Sequence, residues 1–442
     1  MFLFRKITEY LINWKNDKHH KPLIVKGARQ VGKTMAIRDF GAKNYESFIE
    51  INFILQKEYR DIFENGYEVD RIIKNISFRD TSLNIIPGKT LIFFDEIQEC
   101  VNAATSLKSF NEDGRFDVIC SGSLMGINYK EIESNSVGNK QDKTMYPLDF
   151  EEFLINSGYT SGHLQDIKEH MINVEPFSET VLNVLFEKFS EYMVLGGMPA
   201  VVSRFIEEGN FTGTLEIQRQ IIADYEEDIT KYAEGLDKTK VLQVFRAIPV
   251  FLGKGNKKFQ ITKIAKNARN REYIGVTDWL KSAGIVNVCY CMMQPELPLK
   301  GNFDYYNYKL YMGDTGLLVA SLDDEAQSDL RDNRNFNTYK GAIYENVIAQ
   351  MLGVQGYETL FYRSKKGDIE MDFMVRDRKH LIPVEVKAND GATKSLNNMI
   401  SDERYSDISY GIKFCKKNIG NNGTFYTFPY FSACFLRTFL DR

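Results

Sequence analysis

Histidine is scarce in this chain: there are five in 442 residues, and two of them are the adjacent His19 and His20. A histidine metal centre needs ligands at recurring intervals, and this scatter gives it no support. The six cysteines show neither the density of a disulfide framework nor the paired spacing of a zinc site, so reduced, mostly buried thiols are expected. No apolar run reaches the roughly 18 residues of a membrane span, and the apolar part of the opening MFLFRKITEY is too short for a signal segment. The expectation is a soluble, cytoplasmic protein with no membrane partner. Charge of one sign is lacking too: 56 basic against 60 acidic residues leave a net −4. No molecule-wide field draws the chain toward nucleic acid, so any such surface must be local. Internal repeats and low-complexity tracts are absent.

What is present is ample apolar content, 43%, over a length that suggests about three domains. From Lys21 to Asp149, short apolar runs alternate with longer helical stretches. Leu23–Val25, Phe48–Phe53, Leu91–Phe94 and Val118–Cys120 are predicted as buried strands of a parallel sheet with crossover helices, an α/β class. Residues 176–235 have helical periodicity, broken at Gly196-Gly197 and Pro199, and are predicted as a helical lid or connector. In 236–325, helices near Thr262–Ala268 and Tyr273–Ala283 precede the strand-rich stretches Ile285–Met293 and Tyr305–Met312, the pattern of a winged helix. The polar run Asp323–Asn337 is predicted as a linker, and 335–442 as a second α/β unit.

Between the first strand and the first crossover helix lies KGARQVGKTMA, which fits G-x-x-x-x-G-K-[ST] at Gly27, Gly32, Lys33 and Thr34. In such a loop the backbone N–H groups of Gly27, Ala28, Arg29, Gln30, Val31, Gly32, Lys33, Thr34 and Met35 can turn toward phosphate oxygens at a helix N-terminus. Lys33 reaches the outer phosphates and Thr34 a Mg²⁺ ion. TLIFFDEIQEC supplies the carboxylates this chemistry needs: Asp95 to hold the metal, Glu96 to orient or deprotonate the attacking water. FDVICSGSL ends the next strand, with Ser121 as the candidate γ-phosphate sensor and Ser123 second.

Together with Pro147–Phe153 (PLDFEEF) and Gly196-Gly197-Met198-Pro199, these motifs resemble the prokaryotic AAA-type ATPases that carry a C-terminal domain of unknown function. The resemblance implies an additional-strand P-loop ATPase core over 1–175, with ATP and Mg²⁺ as cofactors and hydrolysis gating the attached domains. It also implies a possible homo-oligomer. Such enzymes commonly use a neighbouring subunit's arginine. Arg115, Arg204, Arg219 and Arg246 are all open for that role.

Between Lys254 and Lys281 eight basic residues (Lys254, Lys257, Lys258, Lys263, Lys266, Arg269, Arg271, Lys281) face two acidic ones (Glu272, Asp278), a local patch that suits DNA phosphates. The helix near Tyr273–Ala283 has few polar residues that could read bases. Asp224, Glu226, Glu227 and Asp228 read as a solvated helix face.

The last unit holds a second chemical signal. Glu345 falls on a helix, Glu370 and Asp372 on one face of a strand, and Glu385 and Lys387 on one face of the next. The order resembles the restriction-endonuclease-like superfamily, without the proline before the aspartate. That resemblance implies Glu345, Asp372 and Glu385 as Mg²⁺ ligands, and Asp372, Glu385 and Lys387 as catalytic residues of phosphodiester hydrolysis. Whether the unit cuts DNA or only binds it stays open at this point, as does an inert unit on an ATP-gated or protein-remodelling switch.

Overall fold

The computed structural model describes residues 2–123, 138–233, 235–254, 257–260, 263–264, 269, 272–332, 334, 337–388 and 391–442. The first unit comprises α1 (Ile7–Asn16), β1 (Leu23–Gly27), α2 (Lys33–Asn44), β2 (Ser47–Asn52), α3 (Val69–Arg79), β3 (Thr90–Asp95), α4 (Val101–Asp113), β4 (Asp117–Ser123) and β5 (Gln141–Thr144). The strands form one sheet in the order β2-β3-β4-β1-β5, all parallel. Helices cover both faces, so every residue of β1 and β3 is buried, which is why their sequences are continuous apolar runs. Alternate side chains serve separate cores: Leu23, Val25, Leu91, Phe93 and Ile119 face one, Ile24, Ile92, Phe94 and Cys120 the other. Strand β4 separates the loop-bearing β1 from the acidic β3, the additional-strand arrangement expected from the sequence. The edge strand β5, QDKT, has no apolar signal and was not foreseen.

Helices α5 (Phe150–Asn156), α6 (Ser161–Asn173), α7 (Glu179–Leu195), α8 (Pro199–Glu208) and α9 (Thr214–Tyr232) follow. An aspartate capping box at Asp149 starts α5. Then come α10 (Lys238–Leu252), α11 (Ile274–Ser282), the antiparallel β6 (Val286–Met292) and β7 (Phe303–Met312), α12 (Thr315–Ala320) and α13 (Ala326–Arg331). The last third contains α14 (Asn337–Val354), β8 (Leu360–Arg363), β9 (Glu370–Arg376), β10 (Leu381–Val386), α15 (Lys394–Ser401), β11 (Gly411–Cys415), β12 (Gly420–Asn421), β13 (Phe425–Pro429) and α16 (Leu436–Leu440).

Two findings differ from the sequence expectation. The hairpin β6–β7 does not stand apart as a wing: β6 pairs in parallel with β8, Cys291 opposite Phe361, so one eight-stranded mixed sheet runs β12-β13-β11-β10-β9-β8-β6-β7. The polar run Asp323–Asn337 is not simply a linker, because α13 inside it buries Ala326 and Leu330, spaced one helical turn apart. The helix expected at Thr262–Ala268 falls outside the described residues, apart from Lys263 and Ile264.

A single apolar core runs from the loop side of the first sheet through α7–α9 into the second sheet. Phe189 stacks on Tyr430 at 6.0 Å and Tyr430 on Tyr344 at 4.1 Å, tying the helical segment to the last unit. All six cysteines are free and buried. Among the described residues no helix is long and apolar enough to cross a membrane.

Candidate functional site

The phosphate loop closes tightly because its glycines permit it. A Cβ on Gly27 would collide with Met145 O, and Gly32 adopts φ 92° at the start of α2. Gln30 is also left-handed, at φ 64°. Ala28 and Val31 point into the core, and Met35 is exposed. Lys33 is buried, its ammonium donating to Gly27 O at 3.0 Å and Ala28 O at 2.8 Å. Burial lowers its pKa to about 8, against the opposing pull of Glu96 and Asp95.

Asp95, 2% exposed at the end of β3, is the hub. Thr34 Oγ1 lies 3.2 and 3.3 Å from its two oxygens, Asn52 Nδ2 donates at 2.9 Å, and Ser121 Oγ donates to Oδ1. The strand order explains this convergence, since Asn52 stands opposite Asp95 in the β2–β3 register. Asn52 was missed by sequence reasoning; a polar residue at the end of the first crossover's strand was the only signal. Ser121, read from sequence as a γ-phosphate sensor, is engaged with Asp95, and Ser123 is buried opposite Gly27. Glu96 sits at φ 56° with its carboxylate held by Gln98 Nε2.

The loop is gripped from two sides. Arg5, almost fully buried, donates to Val31 O and Tyr146 O, each at 2.6 Å, and lies 3.2 Å from Glu152 of α5. From α9, Asp228 pairs with Arg29, Asp224 accepts from Gln30 Nε2 at 2.6 Å, and Tyr225 OH donates to Arg29 O at 3.1 Å. The acidic face of α9 is therefore not simply solvated: Asp228 is buried against the loop, and Glu226 holds Arg246. The other candidate arginines are paired within the chain as well, Arg115 with Asp70 and Asp113, Arg204 with Glu208, Arg219 with Asp324. Gly196–Pro199 is a joint. Gly197 O accepts from Leu148 N at 2.7 Å, and Gly197 N donates to the buried Asp314 at 2.6 Å. Asp314 also caps α12 through Leu317 N.

In the second sheet the structure brings Glu345, Asp372, Glu385 and Lys387 into one charged cluster and adds Lys257, Lys309 and Tyr311. Lys387 lies 2.6 Å from Glu385 Oε1, Lys309 lies 3.2 Å from Glu370, and Lys257 pairs with Glu345 Oε1. Tyr311 OH donates to Glu345 Oε2 at 3.1 Å, and Val386 N donates to Asp372 at 2.8 Å. Burial, then the Glu345 charge, push Asp372 up to about 7. Burial would also raise Glu345, but Lys257 and Lys309 outweigh it and hold that carboxyl below its ordinary value. Lys309 would be lowered by burial, yet Glu345, Asp372 and Glu370 hold it charged.

The three carboxylates expected to share Mg²⁺ are thus held by lysines. Among the described residues no three acidic, histidine or cysteine side chains are gathered as metal ligands, and this arrangement does not fit a divalent ion. Lys257 is turned inward, so the basic patch loses one of its eight members. Lys266 and Arg271 lie outside the described residues. Thr277 of α11 is buried, bonded to Tyr273 O and Tyr308 OH at 3.2 Å each.

Comparison with known proteins agrees with the first unit. Residues 19–154 match a family model described as an AAA domain, so this stretch is of AAA ATPase type. Residues 186–328 and 340–430 match two domains of unknown function, DUF8612 and DUF4143. An uncharacterized protein of Methanocaldococcus jannaschii is 26% identical over 410 residues, covering 85% of this chain and 80% of its own. The Walker-type ATPase of Pyrococcus abyssi superposes with a TM-score of 0.43 at 15% identity, over 72% of this chain and 96% of that one. The Orc1 protein of Aeropyrum pernix in complex with DNA gives 0.25 at 12%, over 74% and 91%. Likeness at these scores carries no functional weight.

Proposed function

We propose that the chain is a magnesium-dependent ATPase whose nucleotide state controls the charged site of the second sheet, which acts on or near DNA. The convergence of Thr34, Asn52 and Ser121 on Asp95 beside Lys33 carries the first part. Thr34 Oγ1 and Asp95 are hard oxygen donors that suit Mg²⁺, which when bound neutralises charge on the outer phosphates. Lys33 exchanges the loop carbonyls for phosphate oxygens, and Glu96, oriented by Gln98, positions the attacking water. Lys33→Ala is expected to show no nucleotide binding by calorimetry. Glu96→Gln is expected to bind ATP and turn it over roughly 10²- to 10⁴-fold more slowly. Equal turnover in wild type and Glu96→Gln removes that glutamate from the mechanism.

The DNA-directed part is supported by the order of Glu345, Asp372, Glu385 and Lys387 along the chain and their meeting in one cluster. DNA affinity measured across salt, with and without a non-hydrolysable ATP analogue, tests it. Plasmid cleavage that disappears in Asp372→Ala and Lys387→Ala marks a nuclease. The ion-paired carboxylates favour a second reading, an ATP-gated switch or remodelling ATPase with a catalytically inert C-terminal unit, for which no cutting is expected in any nucleotide state. Homo-oligomers in which an arginine frees itself from its carboxylate to reach a neighbour's ATP fit either reading.

A further inference from the structure

Lys257 and Lys309 reach the charged cluster from chain segments that precede the last unit, and they are held in different ways. Lys309 is mid-strand in β7, 2% exposed, over the Phe361 ring at 4.7 Å, and cannot leave without unravelling the sheet. Lys387 follows β10 directly and takes one oxygen of Glu385, leaving Glu385 Oε2 buried with no partner among the described residues. Lys257 belongs to neither strand nor helix. Its segment docks on β7 through Phe259, whose N–H donates to Tyr308 O at 2.8 Å and whose ring stacks on Tyr308 at 5.8 Å.

We infer that Lys257 is an internal competitor for a divalent cation, its ammonium holding the Glu345 carboxylate until the 257–260 segment undocks. The inference rests on reading Glu345, Asp372 and Glu385 as an ion site. Both oxygens of Glu345 are engaged, Oε1 by Lys257 and Oε2 by Tyr311, so an incoming cation must displace one of them. Charge selects Lys257. With it docked, three ammonium groups meet the carboxylates of Glu345, Glu370, Asp372 and Glu385. With it withdrawn, two remain, and the deficit of two positive charges is what one divalent ion supplies. The unpartnered Glu385 Oε2 is an acceptor ready for that ion. Lys309 and Lys387 stay behind as fixed counter-charges, so the affinity of the site for metal is set by one side chain on a dockable segment.

The test is a Mn²⁺ titration of the full chain without nucleotide, followed by the electron paramagnetic resonance of free Mn²⁺. Glu345→Gln defines the signal from elsewhere in the molecule. Lys257→Met is expected to bind one Mn²⁺ at least tenfold more tightly than wild type, and the double variant Lys257→Met/Glu345→Gln to lose that binding. Lys257→Gln, which keeps a hydrogen-bond donor for Glu345 without the charge, repeats the test if the methionine variant does not fold. Equal Glu345-dependent affinity in wild type and variants overturns the role of Lys257 while leaving the ion site standing. No Glu345-dependent binding in any of them overturns both.

Discussion

Asn52 and Ser121 touch no phosphate motif, yet each donates a hydrogen bond to the carboxylate that is to hold the metal. Partners of this kind orient a ligand, and their loss typically costs about 10- to 100-fold in metal affinity. Asn52→Ala and Ser121→Ala are therefore expected to raise the Mg²⁺ concentration needed for half-maximal ATP turnover by about that factor, with nucleotide binding retained in calorimetry. Unchanged Mg²⁺ dependence would contradict the hub role. Asp95 and Thr34 were legible because their motifs carry fixed spacings. Asn52 was not, since only the register of β2 against β3 brings it to Asp95. Asp314 was invisible for a similar reason, its partner Gly197 lying 117 positions away. Burial pushes the Asp314 carboxyl from 3.8 up to about 6, against the lowering effect of the N–H groups of Gly197, Leu317 and Gly316. A folded-state pKa above the unfolded one means stability is present in full below about pH 4 and is lost as pH rises through 6. Between pH 4 and 7, wild type is expected to lose roughly 3 kcal/mol relative to Asp314→Asn. Urea unfolding of both proteins at the two pH values measures it, and parallel pH profiles would contradict the assignment.

Helix α9 shows what an element's own sequence conceals. Its run of carboxylates reads as solvated by composition, but Asp228 and Asp224 face the phosphate loop because α9 folds back across nearly two hundred residues of chain. Held by Asp228, the Arg29 guanidinium is unavailable to phosphate. Asp228→Asn is expected to release it and lower the ATP dissociation constant severalfold, whereas unchanged affinity in a calorimetric titration would leave the pair a purely structural tie. The Gly196–Pro199 joint is equally dependent on fit. A Cβ on Gly197 would strike Leu148 O, and one on Gly316 would strike Leu195 O. Gly197→Ala is expected to cost roughly 1–3 kcal/mol in urea unfolding. The sequence motif was legible; its work as a hinge point between the α5 entry and α12 was not, because those contacts are made by backbone atoms.

Across the molecule, the continuous core predicts cooperative behaviour. Calorimetry is expected to show one unfolding transition, raised as a whole by Mg²⁺ and a non-hydrolysable ATP analogue. Two transitions, only one of them shifted by nucleotide, would mean the units unfold independently. The parallel sheet around the phosphate loop was readable because buried parallel strands are continuous apolar runs. The hairpin of β6 and β7 was misplaced because its local pattern is the same whether its far edge meets solvent or another strand, and only the pairing of Cys291 with Phe361 distinguishes the two.

That shared edge also bears on how such a protein could be shuffled among genes. A fragment beginning near residue 335 would leave the edge of β8 bare and would forfeit Lys309 and Tyr311, while its donor would keep an orphaned ribbon with nothing to lie against. The portable module is therefore the longer piece that starts with α10, and recombination inside it would yield two halves prone to stick to their neighbours.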